Sequence, residues 1–276
     1  DLQIEVPEDA APTAQGRVKY RADLARISRW MKPRGEDATR RLSGQLTGEL
    51  QLAQQGRATQ AEWTTHVENL VVERKPGVAS VSSAALPVSQ VAAWKPIWSE
   101  KRLQFTGSGS LDQDTETFHL QRFRVQSELL AVSATGQISN VLDSRVADVS
   151  GQIRYDVGQI VQSLRGYVGP GLELVGEKQH PFTLKGPLAD KANRPSSSTS
   201  VVPPKLLVTG GCGWNSGNAY GLILGPADLQ ARLADQIVSV SPIEISVNDG
   251  YLRCTPEITF QQDPSLLVVV PGTVLD

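Results

Sequence analysis

"LQFTGSGSLDQDTETFHLQRFRVQSELLAVSATGQIS", residues 103–139, decides the fold. Leu103, Phe105, Gly107, Gly109 and Leu111 share one parity, and Ser108 and Ser110 fall on the other. Side chains of a strand alternate between faces, so this period describes a ribbon with one apolar and one polar side. Turn residues interrupt it at Asp112–Asp114 and near Ser127–Glu128. The Phe118/Leu120 parity changes to Phe123/Val125, which places a bulge near Gln121–Arg122. Glycines in mid-strand let a sheet bend or let another group approach closely.

The same pattern extends outward in both directions. In "RLSGQLTGELQLAQQGRA", residues 41–58, Leu42, Leu46, Leu50 and Leu52 alternate with polar residues. "QAEWTTHVENLVVER", residues 60–74, is its natural antiparallel neighbour across a turn at Gln55–Gly56. "ADVSGQIRY" and "LELVGEKQHPFTLKGPL" add strands, and "PKLLVTGGCGWNSGNAYGLILG" reads as strand, Gly-rich turn, strand. Three strands close the chain, two of them joined at Asn248-Asp249-Gly250. Helical spacing appears three times: Leu24, Ile27 and Met31 behind Asp23; Val157, Ile160, Val161 and Leu164; and Leu229/Leu233 behind Pro226. "GRVKYRADLARISRWM" and "GQIRYDVGQIVQSL" are both strand, tyrosine, aspartate, short helix, which suggests an internal repeat.

The expected fold is therefore mainly β: a long bent antiparallel sheet, an open groove, with about three short helices. Neighbouring strands in sequence usually pair, and 5% aromatic residues make a thick two-sheet core hard to fill. Four regions are expected. Residues 1–15 form a flexible N-terminal segment and 16–188 a β-groove segment containing the repeat. Residues 189–202 are a linker or mobile loop, and 203–276 a continuing β segment with one helix. The chain starts at Asp1 without methionine and stops just after the run Leu266–Val270, so it reads as a piece of a longer polypeptide.

With 27 Lys+Arg against 29 Asp+Glu among 276 residues, no electrostatic footprint for nucleic acid exists. No apolar run is long enough to span a bilayer. His66, His119 and His180 lie in three separate strand contexts and form no metal-ligand pattern. Cys254 reads as a small buried hydrophobe, and the sequence leaves open whether it pairs with Cys212. No nucleophile elbow, metal helix or phosphate loop occurs, so neither catalysis nor a cofactor is expected. Cys212 in "TGGCGW" lacks a base in its own segment. Asp112, Asp114, Asp148 and Asp156 sit at turns or strand ends, where carboxylates bond local backbone. Trp94 and Trp98 read as a lid over the open sheet.

"GSGSLD" followed by "FHLQRFRVQSELLAVSATGQI" and then "DVSGQIRYDVGQI" resembles the AsmA-like and TamB-like envelope proteins. "AYGLILGPADLQARLADQIVSVSPIEISVNDGYLRCTPEI" is similar to their more C-terminal part. The resemblance covers most of residues 16–276 and consists of alternation and glycine placement. It implies a U-shaped β groove with an apolar interior, the β-taco. It also implies an inner-membrane anchor outside this segment and a periplasmic body that handles phospholipid bound for the outer membrane. The groove lining is then Leu103, Phe105, Leu111, Phe118, Leu120, Val125, Val132 and Ile138. The alternative is an envelope assembly module that contacts proteins through a sheet edge. A carbohydrate-active enzyme is a third class, without a placed carboxylate pair.

Overall fold

The structure, a computed structural model, describes residues 2–5, 13–30, 40–74, 94–188, 203, 205–259 and 265–269. It is mainly β, and 18 strands form one large open antiparallel sheet. The first part is a meander. β1 (Leu2–Glu5), β2 (Thr13–Asp23), β3 (Arg40–Gln55) and β4 (Ala58–Arg74) pair each with the next. β5 (Lys95–Asp112), β6 (Thr117–Gln126), β7 (Leu130–Ser139) and β8 (Val146–Asp156) continue it without a break in order. The helix α1 (Leu24–Trp30) joins β2 to β3, and Asp23 accepts from the Ala25 N–H at its start.

Beyond β8 the chain forms α2 (Val157–Ser163), the single turn α3 (Arg165–Val168) and β9 (Leu172–Val175). β10 (Glu177–Pro187), β11 (Leu207–Trp214), β12 (Ser216–Ala219), β13 (Leu222–Leu224) and β14 (Ala227–Ala234) follow. β15 (Ile237–Val240), β16 (Ile243–Val247), β17 (Gly250–Thr259) and β18 (Ser265–Val269) complete the order. The main sheet runs on from β8 through β10, β11, β14, β15 and β17 to β18. A second block pairs β9, β12, β13, β16 and β17 in matching order. Five long strands thus cross one line. Four of them break there, at Gly176, Asn215, Gly225–Pro226 and Ser241–Pro242, while β17 crosses uninterrupted.

Two buried clusters lie along that crease, and Val67, Ala134 and Ala147 are buried within the meander. Tyr155, Val157 and Val161 form one buried cluster, and Ala227, Leu229 and Ile245 form another. Trp214 packs against both, and its indole N–H donates to the Gly225 carbonyl at 2.9 Å. Asp156 begins α2 by accepting from the N–H groups of Gly158 and Gln159, at 2.9 and 3.2 Å. Those bonds satisfy donors that the first helical turn leaves without partners, and the Gln159 side chain, with these backbone bonds, holds the Asp156 carboxyl below its usual range. The two similar sequence stretches therefore build the same local unit, a strand ending in an aspartate-capped helix of seven residues.

Two sequence expectations are corrected here. Residues 225–236 form no helix; Ala227–Ala234 are the strand β14. Leu229 and Leu233 fit helical spacing, yet Ala227, Leu229, Ala231 and Leu233 also alternate with Asp228, Gln230 and Arg232. Pairing on both sides, with β11 and β15, overrides the local helical preference. Likewise, Gly210–Gly213 is not a turn but lies inside β11, and the reversal occurs at Tyr220–Gly221. The His180 ring lies over Gly211, which only a residue without a side chain permits.

Other turns fall as expected. Gly56–Arg57 joins β3 to β4, and the bulge in β6 lies between Leu120 and Phe123. Asn248–Asp249 closes the β16–β17 hairpin, with Val247 opposite Gly250. The positive φ there belongs to Asn248, at 49°. Gly250 begins the strand, so a branched residue at Gly250 meets no left-handed strain. The expected linker at 189–202 lies outside the described residues.

One buried acid punctuates the start of the ribbons. Glu100 in β5 is 4% exposed, and its Oε1 has no hydrogen-bond partner among the described residues. Burial pushes its carboxyl above the usual range, and bonds from the Ser127 side chain and the Glu128 backbone offset part of that shift. A raised folded-state value means that the folded chain holds this proton more tightly than the unfolded one. Its contribution is therefore fully present below the unfolded value near 4.3 and is lost as pH rises through the folded value. Glu100→Gln is expected to raise the melting temperature at pH 7 by roughly 2–4 °C and to bring no gain at pH 3.5. Destabilisation at pH 7, or an equal gain at both pH values, contradicts this.

Candidate functional site

Register across the meander sorts every residue onto one of two faces. One set of rungs runs Leu50–Trp63–Gly107–Phe123–Ala134–Gly151. The next runs Tyr20–Gly48–Thr65–Phe105–Val125–Val132–Ile153. Leu111–Phe118–Ile138 and Gly109–Leu120–Gly136 follow on the same side, and Leu103 pairs with Val67. Leu103, Phe105, Leu111, Phe118, Leu120, Val125, Val132 and Ile138 therefore share a single face. The structure brings all eight together, and each is half-buried.

The bulge makes this possible. Leu120 faces Gly136 and Phe123 faces Ala134, so Gln121 and Arg122 together oppose Thr135. Holding two residues opposite one absorbs the extra residue and returns Phe123 and Val125 to the face that holds Phe118 and Leu120.

Aromatic rings of this face lie over glycines of adjacent strands: Tyr20 over Gly48, Trp63 over Gly107, Phe118 over Gly109 and Phe182 over Gly151. Trp63 and Phe118 are neighbours, with ring centres 6.4 Å apart and planes tilted by 39°. The glycines thus do more than allow bending, because each provides a flat seat for a ring. The surface is accordingly low and mostly apolar, with polar interruptions where the Tyr20 and Thr65 hydroxyls bond to each other and where Gln54 and Thr59 join the rung of Leu111. Its β2–β3 end is the most open, with Val18 52% and Leu52 38% exposed. Helix α1 packs on β2 and β3, and α2 on β5, β8 and β9.

The opposite face is mostly polar. It carries Arg17, Lys19, Glu49, Glu62, Arg122 and Arg124, among others, and a hollow of about 820 Å³ over β2–β6. Arg17 meets Glu49 at 3.0 Å, Arg122 meets Glu62 at 3.7 Å, and Lys185 meets Asp148 at 3.3 Å.

The remaining candidates resolve separately. His66 pairs in register with Thr47 and Gln104 on the polar face, and His119 is exposed. His180 is buried at 3% exposure, stacked on Tyr155, with Nδ1 3.5 Å from Asp228. Sequence reasoning treated the three histidines alike, because burial of His180 depends on Tyr155 of β8 and Gly211 of β11, which lie far from it in sequence. Among the described residues no His, Cys, Asp and Glu cluster could hold a metal ion. Cys212 and Cys254 are both free, and Cys254 is buried. His180 covers Gly211, so the side chain of the next residue, Cys212, points to the other side of the strand. The Cys212 side chain is exposed, yet neighbouring atoms partly desolvate it and, with the Asp228 charge, push its thiol up, away from a reactive thiolate. Asp112 accepts from the N–H groups of Asp114 and Thr115, at 2.9 and 3.3 Å, in its own turn. Trp94 sits under the Arg41 guanidinium, 4.9 Å from its ring centre, and Trp98 belongs to β5 opposite Val72.

The geometry is a mostly apolar row crossing seven strands, most open at its β2–β3 end, with α2 packed on β5, β8 and β9. Comparison with models of known protein families, with curated proteins and with solved structures finds no match.

Proposed function

We propose that this chain is a segment of a cell-envelope protein whose apolar sheet face binds phospholipid acyl chains and passes them between membranes without catalysis. The observation that carries the reading is the half-exposed row Leu103, Phe105, Leu111, Phe118, Leu120, Val125, Val132 and Ile138 on one continuous face. Acyl chains need an apolar surface that stays reachable, and repeated antiparallel strands extend such a surface without closing it. The β-taco groove, a periplasmic location and an inner-membrane anchor outside this segment belong to the same reading and rest on the family resemblance.

Phospholipid captured by the purified chain tests it. Val132→Asp is expected to reduce co-purifying phospholipid at least tenfold while the circular dichroism spectrum stays that of the folded protein. A carboxylate at a reachable surface keeps its water, whereas one in a sealed core is costly. Loss of folding would mean that the face is sealed. A photo-crosslinker at Phe105, Leu120 or Val132 that captures protein and never lipid would instead support an assembly module.

A further inference from the structure

On the polar face, beneath the strands that carry Val125 and Val132, two arginines lie close together with no carboxylate between them. Arg124 of β6 pairs in register with Ser133 of β7, and Arg154 of β8 pairs with Ala131 of β7. The two therefore flank the same short stretch of β7 from opposite sides. Two strand spacings and one two-residue step separate their backbones by roughly 12 Å, within the combined reach of two arginine side chains. Ala131 and Ser133 between them leave a low floor, and the hollow above has a volume of about 330 Å³. Gln152 and Gln179, hydrogen-bonded to each other, wall one side.

Charge sets this hollow apart. Arg17, Arg122 and Lys185 on the same face each meet a carboxylate. Arg124 and Arg154 have no carboxylate partner among the described residues, and the lining of the hollow holds no acid. Asp156 and Glu177 form the next rung along, with Asp156 engaged at the start of α2. Two unpaired guanidinium groups beside a hydroxyl and two amides favour a tetrahedral dianion, because each planar fork can donate two parallel hydrogen bonds to phosphate oxygens.

We propose that the hollow over β6, β7 and β8 is a phosphate-binding site in which Arg124 and Arg154 hold one phosphate group above Ala131 and Ser133. The site lies on the side of the sheet opposite the apolar row and does not depend on it. Its phosphate comes either from a soluble phosphate compound or from a lipid headgroup at a membrane surface.

Titration calorimetry of the whole chain with sodium phosphate, and co-sedimentation with phosphatidylcholine vesicles with and without phosphatidic acid, distinguish the two. Saturable binding of sodium phosphate, weakened at least tenfold by Arg124→Gln and by Arg154→Gln, is expected for a soluble source. For a headgroup, the same two variants abolish the extra sedimentation caused by phosphatidic acid. Both side chains are exposed, so folding should survive. Arg124→Lys, which keeps the charge and loses the fork, is expected to bind with intermediate affinity. Binding of both probes unchanged in the double glutamine variant, or binding of neither by the wild-type chain, overturns the site. Leu120→Asp, which changes the apolar row outside the lining of the hollow, should reduce captured phospholipid and leave phosphate binding intact, so failure of this site and failure of the lipid reading give different results.

Discussion

Ile245→Ala is expected to destabilise the protein by about 2–4 kcal/mol, whereas Leu120→Ala is expected to cost roughly 1 kcal/mol. The chemistry removed is similar, so the difference lies in the surroundings. Ile245 is 5% exposed inside the crease, packed with Ala227, Leu229 and the half-buried Trp214, Leu224 and Val247. Its truncation leaves a void that five strands, locked by pairing on both sides of the crease, cannot collapse to fill. Leu120 is half-exposed on a face that water reaches, so truncation there forfeits part of a transfer energy and creates little cavity. Urea unfolding of both variants at constant slope measures the contrast. Equal losses would show that the apolar face is as sealed as the crease.

Gly136→Ala is expected to be as damaging, at about 2–4 kcal/mol, for a different reason. Gly136 has φ 151°, and an added Cβ would overlap the carbonyl oxygen of Asp148 in the neighbouring strand. Strain and collision therefore act together, and a backbone atom in a hydrogen-bonded strand cannot swing aside as a side chain can. Gly221, with φ 94° and nothing within 4 Å of an added Cβ, separates the two effects. Gly221→Ala should show the conformational part alone, about 1 kcal/mol. Gly210→Ala meets Phe182 at an ordinary 3.8 Å and should be nearly neutral. Melting temperatures of the three variants test the order, and a Gly136→Ala protein as stable as the Gly210→Ala protein would refute it.

Much of the meander was legible because its information is local. Alternation alone put the eight apolar residues on one face, the change of parity at Gln121–Arg122 located the bulge, and Asp23 and Asp156 announced their helices. The crease was not legible. Its segments β9, β12, β13 and β16 have three to five residues each, and their pairing order depends on contacts far apart in sequence. Residues 227–234 carry a pattern compatible with either period, and only the flanking strands choose between them. The glycines of β11 looked like a turn because their role, admitting the His180 ring and the carbonyl of Ala227, is visible only from across the sheet. Exposure of the apolar row was equally hidden, since any half-buried sheet shows the same alternation.

The bulge in β6 also fixes the phase of a two-letter code. Strand alternation is a binary counter, and Gln121 is an added digit that the bulge absorbs by holding Gln121 and Arg122 together opposite Thr135. Deleting Gln121 would leave Phe118, Leu120, Phe123 and Val125 on one side of an unbroken alternation, so the same face would form without a bulge. Deleting Arg124 instead, with the bulge kept, would turn Val125 to the polar side. For this sheet, the length of sequence between turns therefore carries as much meaning as residue identity.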